Sequence, residues 1–141
     1  MMARRAWGAL LVAGLAVTAC SAAPPVVQPT ATSPSPTPAV TAPPGGVTLT
    51  DMGMTFAPAG FSIPAGLTPA STTNLSELVT VVFDGADGGV VYQYLTGNLD
   101  GMGCQITASS ANSITWSCGV WAGGFTMTPS QAALTLRRMA G

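Results

Sequence analysis

Cys104-Gln-Ile-Thr-Ala-Ser109 and Ser113-Ile-Thr-Trp-Ser-Cys118, with Ser110-Ala-Asn112 between them, decide the fold class. Each run alternates apolar and polar residues, the period-2 pattern of a half-buried strand. One face carries Cys104, Ile106 and Ala108, then Ile114, Trp116 and Cys118. The other carries Gln105, Thr107 and Ser109, then Ser113, Thr115 and Ser117. Folding the segment about Ala111 sets Cys104 opposite Cys118 and Ile106 opposite Trp116. Opposed residues in an antiparallel pair have Cβ atoms about 4.5–5.5 Å apart, close to disulfide reach. The register that pairs the apolar face therefore also pairs the cysteines, and a cross-strand disulfide between Cys104 and Cys118 is expected.

Further strands are read outward from this hairpin. Leu78-Val-Thr-Val-Val-Phe83 is rich in β-formers and runs into the turn-like Asp84-Gly-Ala-Asp-Gly-Gly89. Gly123-Gly124 reads as a turn before Phe125-Thr-Met-Thr128, and Ala133-Leu-Thr-Leu-Arg137 alternates and is expected to close the sheet. Val47 to Pro69 holds strand-like pieces broken by Pro58 and Pro64. Between Gly89 and Gly103 two patterns compete. Val90-Val-Tyr-Gln-Tyr-Leu95 has strand propensity, whereas Val91, Leu95, Leu99 and Met102 recur at helical spacing. A helix over 88–101 is preferred, with Asp87 as its cap and Gly101 or Gly103 as its end. The expected fold is α+β: a small antiparallel sheet of about four to five strands with one helix packed on it. The alternative is all-β.

The chain has 141 residues, enough for one domain, with four basic and five acidic side chains. It contains no His and no Lys. Near-neutral charge leaves no basic patch for nucleic acid.

The N-terminus carries an address. Arg4 and Arg5 precede Trp7-Gly-Ala-Leu-Leu-Val-Ala-Gly-Leu-Ala-Val-Thr-Ala19, an apolar run shorter than the ~20 residues that span a bilayer. Its length and flanks fit a signal peptide. Val17-Thr18-Ala19-Cys20 follows directly and resembles the lipobox of bacterial lipoproteins. The resemblance covers the first twenty residues. It implies cleavage before Cys20, a lipidated Cys20 as the new N-terminus, and anchorage to the cell or outer membrane on the extracytoplasmic side. Two or more acyl chains hold a protein firmly where one does not. Cysteine arithmetic agrees, since lipidating Cys20 leaves Cys104 and Cys118 as an even pair in an oxidising compartment. An ordinary secreted protein is the alternative, and it would carry Cys20 as an odd thiol. Without Met1–Ala19, the net charge falls to −3, because Arg4 and Arg5 leave while all five acids remain.

Ser21 to Gly46 is dominated by Pro, Thr, Ser and Ala and holds no charge. Such a tract forms no core and acts as an extended, semi-rigid spacer. The expected organisation is thus a signal peptide over 1–19, a lipidated cysteine and tether over 20–46, and one small globular domain over 47–141.

Candidate chemistry is sparse, and no catalytic, metal-ligating or cofactor-binding residue is assigned. Catalysis needs a poised acid, base or nucleophile, and His and Lys are absent. Asp84 and Asp87 could form an acid pair or a calcium loop, but Asp and Gly also favour turns, and that is the preferred reading. Met52-Gly53-Met54 could offer thioethers to a soft metal; the preferred reading is apolar edge of the core. Trp121 is the candidate ligand or partner contact. If the hairpin parity continues, Val120 faces inward with Cys118, and Trp121 points outward or sits in the turn, free to stack on a sugar or partner. A bend at the glycines would instead tuck it away. The expected function is a non-catalytic, membrane-anchored envelope lipoprotein whose domain binds a protein partner, wall polymer or small ligand. The alternative is a carrier of lipid or another apolar ligand, and a weaker one is a carboxylate-dependent enzyme.

Overall fold

The computed structural model describes residues 40–141. The signal segment, Cys20 and most of the Pro/Thr/Ser tract lie outside the described residues. Eight strands and one helix follow in order: β1 Gly46–Thr48, β2 Ser62–Pro64, β3 Ser71–Leu75, β4 Leu78–Asp84, α1 Gly88–Asn98, β5 Gln105–Ser109, β6 Ser113–Cys118, β7 Trp121–Met127 and β8 Gln131–Arg138. The class is α+β, as the sequence implies.

Strands β3 to β8 form one antiparallel sheet of six strands, in the order β3-β4-β8-β7-β6-β5, and β1 pairs with β2 in a separate ribbon. The expected four to five strands fall short because Ser71-Thr-Thr-Asn-Leu75 joins at one edge. That segment is largely exposed and polar, so no apolar alternation marks it. β8 does not close the sheet but lies inside it, paired to β4 through Thr80↔Thr135 and to β7 through Phe125↔Leu134.

Helix α1 and the N-terminal ribbon cover one face of the sheet. Gly88, Val91 and Leu95 of the helix are buried, as is Leu99 just beyond its end, and Met102 packs beside them. A single 3-10 turn at Asp100–Met102 prolongs the helix to Gly103, whose positive φ of 75° ends it. Asp87 occupies the cap position, but its side chain makes no capping hydrogen bond. The sheet contributes Val79, Val81 and Phe83 from β4, Leu134 and Leu136 from β8, Phe125 from β7, and Ile114 and Trp116 from β6. This is the alternation expected of strands with one covered face. Pro64 does not interrupt its strand; it ends β2 and is buried.

The Trp116 indole is held in a sandwich. The Phe61 ring stacks on one side, with centroids 5.8 Å apart and planes 16° from parallel. Gly123 lies on the other side, directly across the ladder. A Cβ there would collide with Cε2 and Nε1 of the indole. Gly123 and Gly124 are therefore strand residues of β7, not a turn. The turn falls earlier, at Gly119-Val120, where Gly119 has φ 58°. Two-residue hairpin loops favour glycine at such positions.

Cys104 and Cys118 are disulfide-bonded, with Cα atoms 4.3 Å apart. The anticipated register holds at that end: Gln105 opposes Ser117 and Ile106 opposes Trp116. It then slips by one residue, so that Ala108 opposes Thr115 and Ser109 opposes Ile114. Thr107 is the extra residue of this bulge, and its hydroxyl meets that of Thr115 at 2.9 Å. The anticipated facing of Ala108 with Ile114 is thereby lost. β5 is also an edge strand that the helix does not cover, so Ile106 remains exposed.

Candidate functional site

The uncovered face of the sheet can be read rung by rung from the pairing. Its central rung runs Thr73, Thr80, Thr135, Gly124, Thr115, with Ala108 and the Thr107 hydroxyl completing it on β5. Five strands thus present a threonine in one transverse row, and the sixth, β7, presents Gly124. Above it lie Ser71, Val82, Ala133, Thr126 and Ser113. Below it lie Leu75, Leu78, Arg137, Ala122, Ser117 and Gln105. Among the described residues, Asp84 and Arg137 are the only charged ones on this face, and no aromatic residue stands on it. Threonine suits a strand because its branched Cβ packs on the pleat, and its hydroxyl both donates and accepts.

Two clefts adjoin the end of this face where β7 turns into β8. One, of about 190 Å³, is lined by Thr126, Thr128, Gln131 and Ala133. The other, of about 240 Å³, is lined by Asn112, Met127, Thr128 and Pro129. Thr128 holds the turn between them, its hydroxyl accepting from the Gln131 amide at 3.1 Å. Both clefts fall below the roughly 300–1,000 Å³ of small-molecule pockets.

Trp121 is not an exposed platform. It is 9% exposed and belongs to the core cluster, while Val120 is exposed. The two-residue turn sets Trp121 opposite Cys118. Opposed residues share a face, so the parity carried forward from β6 is reversed. Asp84 ends β4, and Asp87 lies at the start of the helix, so their loop is a strand-to-helix turn. Among the described residues, no group of three or more His, Cys, Asp or Glu side chains is arranged to hold a metal ion. Met54 is buried and Met52 packs against the core. Between helix and ribbon, the buried Ser62 hydroxyl meets that of Tyr94 at 2.9 Å. No helix among the described residues is long and apolar enough to cross a membrane.

The threonine row was not singled out in the sequence. Its members are scattered from residue 73 to 135, and only the strand order aligns them. Ser113, Thr115 and Ser117 at alternate positions of β6 are the local signal of an uncovered face. The sequence matches no known family model and no curated protein, and the fold matches no solved structure.

Proposed function

We propose that this chain is a membrane-anchored envelope lipoprotein whose domain is a non-catalytic binding module for an uncharged, hydroxyl-rich wall polymer. The anchor rests on Val17-Thr18-Ala19-Cys20 after a signal-like segment. The observation that carries the binding reading is the threonine row on a sheet face with two charges at its margins. Six strands at about 4.8 Å spacing give that row a reach of about 24 Å, enough for several sugar units laid across it. Hydroxyl side chains exchange hydrogen bonds with such a polymer without desolvating a charge, which keeps binding reversible. The non-catalytic reading draws on the lack of His and Lys, and the binding reading on a face that no other element among the described residues covers. A carrier of apolar ligands is disfavoured because Trp116, Phe61, Phe83 and Phe125 fill the space between sheet and helix.

Two measurements test this. The mass of the detergent-extracted protein is expected to show acylated Cys20 as the N-terminus, and an unlipidated mass would remove the anchor. The lipidated chain should co-sediment with purified insoluble wall material. The double variant Thr115→Arg/Thr135→Arg should lose at least about tenfold of that binding (about 1.4 kcal/mol) while keeping its melting temperature within a few degrees. Equal binding by the variant, or no binding by the parent chain, would reject the polymer reading.

A further inference from the structure

One end of the sheet differs from the rest of the surface. Five of the seven large apolar side chains exposed among the described residues gather there: Phe56 (49%), Leu75 (56%), Ile106 (47%), Val120 (56%) and Met139 (44%). The pairing fixes their neighbourhood. Leu75 stands on the terminal rung that crosses Arg137 and ends at Gln105. Ile106 is one residue further along β5. The Phe56 amide donates to Asn74 Oδ1 beside Leu75. Below the rung, the Arg138 amide donates to the Glu77 carbonyl, and the Met139 amide donates to the Val120 carbonyl at 2.8 Å. These residues therefore stand along one end of the sheet, its rim, on turns and strand ends, from Leu75 at the β3 edge to Ile106 at the β5 edge, each about half exposed.

Charge gives the rim a polarity. Arg137 and Arg138 are the only cations among the described residues, and both are exposed on it. Glu77 lies in its β3–β4 turn, and Asp100 follows the helix toward the same end. The opposite end holds Asp84 and Asp87 and no cation. The rim is thus near neutral and the far end is negative, so an anionic surface repels one end and tolerates the other. Guanidinium groups beside exposed apolar side chains match the layered chemistry of a bilayer interface, with phosphates outside and acyl chains below.

We propose that this rim rests on the headgroup layer of an anionic bilayer, with Val120, Met139 and Leu75 entering the interface and Arg137 and Arg138 among the phosphates. The proposal rests on the lipoprotein reading, because a lipid on Cys20 would make the contact intramolecular and let a weak surface suffice. It adds an orientation. The strands stand upright on the membrane, and the threonine face looks sideways, unobstructed.

The test uses the full lipidated chain in phosphatidylglycerol-containing vesicles, compared with neutral vesicles and with detergent. Backbone hydrogen exchange over 75–78, 118–122 and 137–140 should slow at least fivefold on anionic vesicles relative to detergent. Val120→Asp/Met139→Asp, both at exposed positions, should abolish that protection with the circular dichroism spectrum unchanged. Unchanged exchange at these segments on a chain whose mass shows acylated Cys20 overturns the rim and leaves the anchor standing. Protection that appears equally in detergent and rises with protein concentration marks contact between copies and also overturns it. Should the mass show no acyl group, the anchor fails separately. The rim then stands only if the exported chain sediments with anionic vesicles and the double variant lowers the bound fraction at least fivefold.

Discussion

Gly123 contributes to stability by what it lacks. Trp116 lies between the Phe61 ring and the bare backbone of Gly123, and all three are fixed by strand pairing or core packing. Adding a methyl group forces the indole against a ring that has nowhere to move, and overpacking of this kind typically costs 1–3 kcal/mol. Gly123→Ala should therefore lower unfolding free energy by about 2 kcal/mol, measured by denaturant titration, whereas Gly89→Ala, where a Cβ meets nothing, should not. Trp121→Ala belongs to the same scale. Its side chain is core, so the loss should appear in stability, about 3 kcal/mol or more, and not in binding by a correctly folded fraction. Both residues were hard to read in sequence for one reason. Gly-Gly looks like a turn and Trp after a strand looks like a platform, until the turn is known to fall four residues earlier, at Gly119-Val120. A two-residue loop makes Cys118 and Trp121 an opposed pair, so counting straight through the turn puts the wrong side chains inside.

Among the elements, the disulfide hairpin was the most legible, because apolar alternation and cysteine spacing imposed the same register on it. The bulge at Thr107 was not legible, since one extra residue in an exposed edge strand leaves the local pattern nearly intact. The helix was legible through Val91, Leu95, Leu99 and Met102, whose spacing outweighed the β-propensity of Val90 to Tyr94. β3 was invisible because its residues are held by pairing to β4 and not by burial. The disulfide spans a sequence separation of 14 residues. Chain-entropy arguments give about 3 kcal/mol for a loop of that size. Cys104→Ala/Cys118→Ala should cost roughly that amount in chemical denaturation, and reductant should shift the parent chain by a similar amount. The exchange of amides in β5, which hangs on the edge, should rise first.

At the scale of the whole molecule, the proposed address rests on residues 1–20 and the proposed binding face on the sheet, and neither predicts the other. The face was out of reach for the sequence because it depends on strand order, and strand order here places β8 between β4 and β7. One whole-chain prediction needs no structure. The chain has no Lys, so if Cys20 becomes a triacylated N-terminus the mature protein has no primary amine. Amine-reactive crosslinkers should then leave it unmodified on gels and by mass, and a labelled band would show a free terminus. If the chain is exported as proposed, the interior position of β8 carries a further meaning. A chain threaded outward from its N-terminus delivers β4 well before Gln131–Arg138, and without that strand β4 and the hairpins beyond have no common seam. On that reading the domain would not set into its final shape while still passing through a narrow translocation channel. Late arrival of the central strand keeps the polypeptide slack for as long as transport requires, and non-local pairing of this kind is intrinsically slow to form.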